Sequence, residues 1–279
     1  MKLRTRKRLG QACMYTLSII LSLMFLAPLL WMVVSSFKTE GRIFSDLTSL
    51  RAFWPTEGTV DNYLAMQSRI DILRYLFNSL YYVSVLVVLG LVVNSLCGFA
   101  LAKFRFRYRD KMLGCIIALM IIPFESIVLP LYFVAFKLGI LNTYTVLIAP
   151  FVGNCFSIFL FRQFFVGIPD ELLEAGYIDG ASPVRAFCRI VVPSSLPVYA
   201  TVLILQFIEH WSDFMWPVLV TSEATKTIQL GVQTLFSSQP VKYGIVMAGL
   251  TVATLPVIMM FMFFQKYYIQ GIVTSGIKG

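Results

Sequence analysis

The sequence predicts an all-α membrane protein with six spans, and three observations carry that prediction. Of its 279 residues, 58% are hydrophobic and only 13% charged, with a mean hydropathy of +0.79, whereas a soluble domain carries about a quarter charged residues. Apolar runs of the roughly 20 residues needed to cross about 30 Å of hydrocarbon as helix recur along the chain. The basic residues gather at the ends of alternate runs, the asymmetry that fixes orientation because short basic loops stay in the cytoplasm.

Taken in order, the first span is expected over 12–35, between Arg8 and Lys38. It is too long for a signal-peptide core and lacks an Ala-x-Ala-like exit, so it reads as a retained anchor. The second is expected over 75–101 and the third over 112–135, interrupted by Glu125. The fourth covers 139–161, the fifth 196–220, and the sixth 243–267. The fifth carries Glu209, His210 and Asp213 in its second half. Together they form a single membrane domain over 1–279, with an arm at 1–11, a polar loop at 162–195 and a tail at 268–279. Pro28, Pro123, Pro130, Pro150, Pro217 and Pro256 fall inside spans. Membrane helices tolerate the kinks they favour, which fit either a pathway that opens and closes or ordinary membrane-helix proline. Gly90, Ser95, Gly98, Gly153 and Gly249 permit close helix contact.

Six spans place both termini on one side. The arm, the 101–111 connection, the 162–195 loop and the C-terminal end with Lys266 and Lys278 hold fifteen of the 23 Lys and Arg residues, against eight elsewhere, so the arm, the connection, the loop and the tail are expected in the cytoplasm. A net charge of +9 is thereby explained by topology, with no nucleic-acid partner. Lys103 to Lys111, interleaved with Phe104, Phe106 and Tyr108, reads as a headgroup anchor beside a span. The outer segment 36–74 has room for a short helix or two and is too small for a catalytic domain. Cys13, Cys97, Cys115, Cys155 and Cys188 avoid the outer loops and match no metal-ligand spacing, so they read as small packing residues.

The 30 residues from Phe164 to Pro193 are polar between two apolar runs. Pro169 suits a first helical turn, with Asp170 and Glu171 at the positive end of the helix dipole. A helix to about Ile178 follows; Gly180 can take the left-handed conformation that ends it, Ser182 is a good N-cap, and Pro183 starts a second helix to about Val192. Leu172, Leu173, Ala175 and Gly176 make a compact patch. The loop is either an amphipathic interfacial segment or the surface on which another protein pushes.

Glu174-Ala175-Gly176, then three residues, Gly180, nine residues, Ile190, one residue and Val192-Pro193 resemble the EAA loop of binding-protein-dependent ABC importer permeases, with every spacing kept. Gly176 replaces the second alanine and Val192 a leucine. FIEHWSDFMWP from Phe207, the segment from Leu255 to Gly279, Asn78-Ser79, LAKFRFRYR from Leu101 and the Asp179-Gly180-Ala181-Ser182 turn are similar to the carbohydrate-uptake branch, related to the maltose-system inner subunits.

This resemblance implies the type I importer permease fold in the inner membrane of a prokaryote. It implies a non-catalytic subunit with no cofactor of its own, a second similar permease, two cytoplasmic ATPases that bind ATP and Mg, and an extracytoplasmic substrate-binding protein. Leu172, Leu173, Glu174, Ala175, Gly176, Asp179, Gly180, Ala181 and Ser182 would then couple to an ATPase, and the tail could lie close to one. Consistently, no G-x-x-x-x-G-K-[ST] phosphate loop occurs.

Glu125, Glu209 and Asp213 are costly in lipid and should face protein or water. Glu209 and Asp213 share a helical face, with Trp211 and Phe214 nearby. These five residues are candidates for a translocation pathway, since carboxylates beside aromatics can bind sugars. Alternatively, Asp213 sits at the outer boundary, Glu209 bonds to a neighbouring helix, and Trp211 and Trp216 anchor at the interface. Importers of other solutes, and an ion-coupled secondary transporter using the three carboxylates, are the competing functions.

Overall fold

The structure is a computed structural model that describes the backbone of residues 2–276 and the side chains of residues 10, 11 and 13–265. Most of the predicted arm and the whole 268–279 tail lie outside the described side chains. Helices and turns account for the described secondary structure, in the order α1 (Lys2–Ser36), α2 (Glu40–Ser45), α3 (Asp61–Arg69), α4 (Ile72–Lys103), α5 (Arg109–Leu119), α6 (Phe124–Lys137), α7 (Tyr144–Ile148) and α8 (Cys155–Val166). They continue with α9 (Asp170–Ile178), α10 (Pro183–Ala186), α11 (Val192–Ser194), α12 (Leu196–Trp211), α13 (Met215–Val220), α14 (Ile228–Ser237) and α15 (Tyr243–Gly276).

Three apolar helices are long enough to cross a membrane unaided: α1, α4 and α15. Three more spans are bent pairs, α5 with α6 at 101°, the 144–151 segment with α8 at 43°, and the 183–194 segment with α12 at 81°. The six predicted spans are therefore present as three continuous helices and three broken ones. The third, expected over 112–135 with Glu125 as its interruption, is broken at 120–123, ahead of Pro123, which cannot donate to the preceding turn. The fourth starts at Tyr144 rather than 139, because Gly139 and Asn142 both take positive φ and make a turn there.

Contacts gather into two compact units. The first comprises 1–73 and 231–255. Its part of the 36–74 segment is organised by Lys38, whose side chain is fully buried and donates to Asp46 Oδ2 at 3.1 Å, Arg51 O at 2.7 Å and Ala52 O at 3.3 Å. Thr56 Oγ1 donates to the same Asp46 oxygen at 2.9 Å. A buried ammonium needs such full pairing to offset its lost hydration. Asn62 Nδ2 ties Ser36 O and Lys38 O at 2.9 and 2.8 Å. Glu40 accepts from the backbone N–H groups of Tyr243 and Gly244, capping the start of α15.

The second unit comprises 74–230 and 256–279. Here α4 lies close to α8 because Gly98 has no side chain. A Cβ at this position would come within 2.6 Å of Phe161 Cβ and 2.9 Å of the Arg162 backbone nitrogen. Gly90 gives the same room to the Gln206 amide, which donates to Ser157 Oγ at 3.2 Å. Where the fourth span breaks, Asn94 donates to Val152 O at 3.1 Å and accepts from Asn154 N at 2.9 Å. Asn154 in turn caps α8 by accepting from Ser157 N at 2.8 Å. The backbone groups freed by the break are thus satisfied inside protein, as hydrocarbon requires. Unlike Gly90 and Gly98, Gly153 has nothing within 4 Å of a notional Cβ.

The cysteines are free. Cys13, Cys97, Cys115 and Cys188 are exposed on this chain, so the packing role expected of them is not seen; only Cys155 is half-buried.

Candidate functional site

Between α8 and α12 the chain leaves the apolar pattern and forms two short helices. Asp170 and Glu171 start α9 at its positive end. Pro169 has an extended ψ of 135° and serves as the N-cap, one position earlier than its sequence preference for the first turn. Gly180 closes α9 at φ +80° in a Schellman arrangement: Ala181 N–H reaches Gly176 O at 2.9 Å and Gly180 N–H reaches Tyr177 O at 3.0 Å. Ser182 Oγ then accepts from Arg185 N, with Pro183 in the first turn of α10. The second helix continues as a π turn over Phe187–Val191, a widening that the sequence reading did not anticipate.

The loop has two faces. Leu173 is buried in an apolar cluster with Phe99, Phe165, Ile168, Phe187 and Val191. The opposite face exposes Leu172, Glu174, Ala175 and Tyr177, and Ile178 is 86% and Val184 68% exposed. Gly176 fits beneath Ile190: a Cβ there would stand 2.7 Å from Ile190 Cδ1. Asp179, Gly180 and Ser182 are exposed and Ala181 is half-buried, so eight of the nine predicted coupling residues reach the surface and Leu173 anchors the rest.

One residue of the loop's support was assigned differently from sequence. Lys103 was expected to anchor to headgroups with its basic neighbours. Instead its side chain is 7% exposed and its Nζ donates to Ile168 O at 2.6 Å and to Asp170 Oδ1 at 2.5 Å. That hydrogen bond holds the Asp170 carboxyl below the usual carboxylate range, helped by the nearby charge. Its partner lies 67 residues away in the chain, so no local pattern announces it.

A second candidate feature is a cleft of about 450 Å³ at the end of α12 and the start of α6. Phe124, Phe151, Asn154, Glu209, His210 and Asp213 contribute to its wall. Phe151 and His210 rings lie 5.3 Å apart, and Trp216 packs edge-on to Phe124 and Phe151 while donating to Val146 O. Asp213 accepts from the Trp216 backbone at 3.4 Å. Of the five predicted pathway residues, Glu209 and Asp213 line this cleft. Glu125 sits exposed in the first turn of α6, Phe214 is 42% exposed outside the lining, and Trp211 is buried and stacked on Phe207. The buried position of Trp211 also removes the interfacial-anchor reading for it. His210, not among the five candidates, is part of the wall.

Three continuous apolar helices and three bent pairs, with an exposed two-helix loop between α8 and α12, define a polytopic membrane protein. Residues 87–274 match the family described as binding-protein-dependent transport system inner membrane component, and the chain belongs to that family. It is 34% identical over 254 residues to the arabinooligosaccharides transport system permease protein AraQ of Halalkalibacterium halodurans, covering 90% of this chain and 91% of the relative. It is 31% identical to the lactose transport system permease protein LacG of Rhizobium radiobacter, covering 97% of each. It is 34% identical over 203 residues to the sn-glycerol-3-phosphate transport system permease protein UgpE of Yersinia enterocolitica, covering 72% of each. The fold superposes, with a TM-score of 0.79 and 22% identity over 94% of this chain and 97% of the other, on a chain from the crystal structure of a bacterial ABC transporter involved in the import of the acidic polysaccharide alginate.

Proposed function

We propose that this chain is the membrane-spanning permease subunit of an ATP-powered importer for a sugar or oligosaccharide. The observation that carries the reading is the two-helix loop: its EAA-like spacing folds into a capped helix with an exposed apolar face held on a buried anchor. That face, with Leu172, Ile178 and Val184, would dock on a cytoplasmic ATPase. Two such ATPases bind ATP and Mg, a second and different permease completes the pathway, and an extracytoplasmic binding protein delivers the substrate. The chain itself carries no catalytic group or cofactor. The distribution of basic residues supports cytoplasmic termini and a cytoplasmic loop, in the inner membrane of a prokaryote.

The cleft supports carbohydrate over an anionic cargo. Glu209 and Asp213 supply hydrogen-bond acceptors beside the Phe124 and Phe151 rings, and among the described residues no Lys or Arg belongs to the lining. A phosphate or uronate would meet like charge there, whereas hydroxyls meet acceptors and ring faces. Reading the chain as a glycerol-phosphate importer therefore has the UgpE relative in its favour and the cleft against it.

Purification in mild detergent at native expression, with the co-purifying proteins identified by mass spectrometry, tests the proposal. An ATPase and a second permease are expected, and ATP hydrolysis by the complex should rise when a sugar-loaded binding protein is added. A complex lacking any ATPase would sink the reading.

A further inference from the structure

The helix α4 is held at both ends by bonds to the main chain of distant loops. At its last residue, Lys103 grips Ile168 O and Asp170 of the two-helix loop. One turn earlier Phe99 packs on Phe187 and Phe165, with ring centroids 5.1 and 6.3 Å apart. Near the other end, Asn78 Nδ2 donates to Ala224 O at 3.1 Å and Lys226 O at 2.9 Å, and Ser79 Oγ accepts from Ile228 N at 2.8 Å. Tyr75 OH donates to Glu223 Oε2 at 2.7 Å. Asn78 and Ser79 are both buried. Hydrogen bonds to backbone fix the position of the gripped chain, which side-chain packing alone does not.

Between these grips α4 runs unbroken for 32 residues, about 48 Å at the α-helical rise. Among the described apolar helices long enough to span, α1 contains Pro28 and α15 contains Pro256, while α4 contains no proline. The spans that flank the two-helix loop in sequence are both broken, bent by 43° at 152–154 and by 81° at Ser195. A kink absorbs displacement; a straight helix passes it on. Packed side chains and rigid elements are the physical carriers of coupling between distant sites.

We propose that α4 is a transmission rod linking the two-helix loop to the outer 221–228 segment, with Lys103 and Tyr75 as positioning residues at its two ends. Movement imposed on α9 by an ATPase would reach the outer face through α4, without passing through either bend. In the reverse direction, engagement of the outer segment by a binding protein would be felt at the ATPase. The proposal rests on the reading of the loop as the ATPase-docking element.

The test uses the complete complex in liposomes, with its own binding protein loaded from a mixture of neutral oligosaccharides. Lys103→Met and Tyr75→Phe are expected to keep basal ATP hydrolysis within about twofold of wild type and to cut its stimulation by the loaded binding protein about fivefold or more. Lys103→Arg, which keeps the cation and its donors, is expected to restore stimulation. Full stimulation in Lys103→Met overturns the rod. If that variant does not assemble, Tyr75→Phe decides, since it leaves every inner contact in place and full stimulation there overturns the rod equally. A wild-type complex that shows no stimulation at all points to failure of the functional reading instead.

Discussion

Two glycines illustrate how one absent methyl group serves different ends. At Gly98 a Cβ would strike Phe161 Cβ and the Arg162 backbone, neither of which can move without shifting α8. Gly98→Ala is therefore expected to destabilise the protein by about 1–3 kcal/mol, read as a lower unfolding midpoint in detergent. At Gly176 the obstacle is the terminal methyl of Ile190, which can rotate away, and alanine gains up to about 1 kcal/mol of helix propensity. Gly176→Ala is expected to hold or raise the midpoint, and a marked fall would contradict this account of the site.

The two-helix loop was legible in sequence nearly to the residue. Helix α9 ends at Ile178 as expected, Gly180 takes the left-handed turn and Ser182 caps α10, because these are local decisions of backbone conformation and capping. Lys103 and the π turn at Phe187–Val191 were not legible, since each depends on neighbours remote in the chain, and of the break between α5 and α6 the interruption near Glu125 was legible but not its 101° angle. The two faces of α9 separate stability from docking. Leu173→Ala is expected to cost about 2–5 kcal/mol in unfolding experiments. Leu172→Asp is expected to leave the unfolding midpoint unchanged while reducing recovery of the ATPase in pull-down, and normal recovery would remove the docking role of that face. In the 36–74 segment, hydrogen bonds from Lys38 and Thr56 hold the Asp46 carboxyl below its ordinary value of 3.8. A carboxylate with a lowered folded pKa stabilises above its unfolded value, and that contribution disappears as pH falls from 3.8 through the lower folded one. Protection of residues 38–57 from proteolysis is therefore expected to be flat near neutral pH and to drop below 3.8. Asp46→Asn should be less protected at neutral pH and lose the acid step.

At the scale of the molecule, family membership and the curated relatives were foreshadowed by spacing in one loop and by the segments around Glu209 and the C-terminal helix. The cleft was only half foreshadowed: Glu209 and Asp213 line it, while His210 joins them and Trp211 turns inward. Helical spacing predicts which residues share a face, but not which face a bent span presents. The bend ahead of α6 has a further consequence. A helix of 14 residues is about 21 Å long, shorter than the roughly 30 Å of hydrocarbon around it. Neither arm of this bent span crosses hydrocarbon alone, so the backbone groups left open between the arms at 120–123 must be covered by protein or water. The second permease proposed above, seated against the corner, would supply that cover.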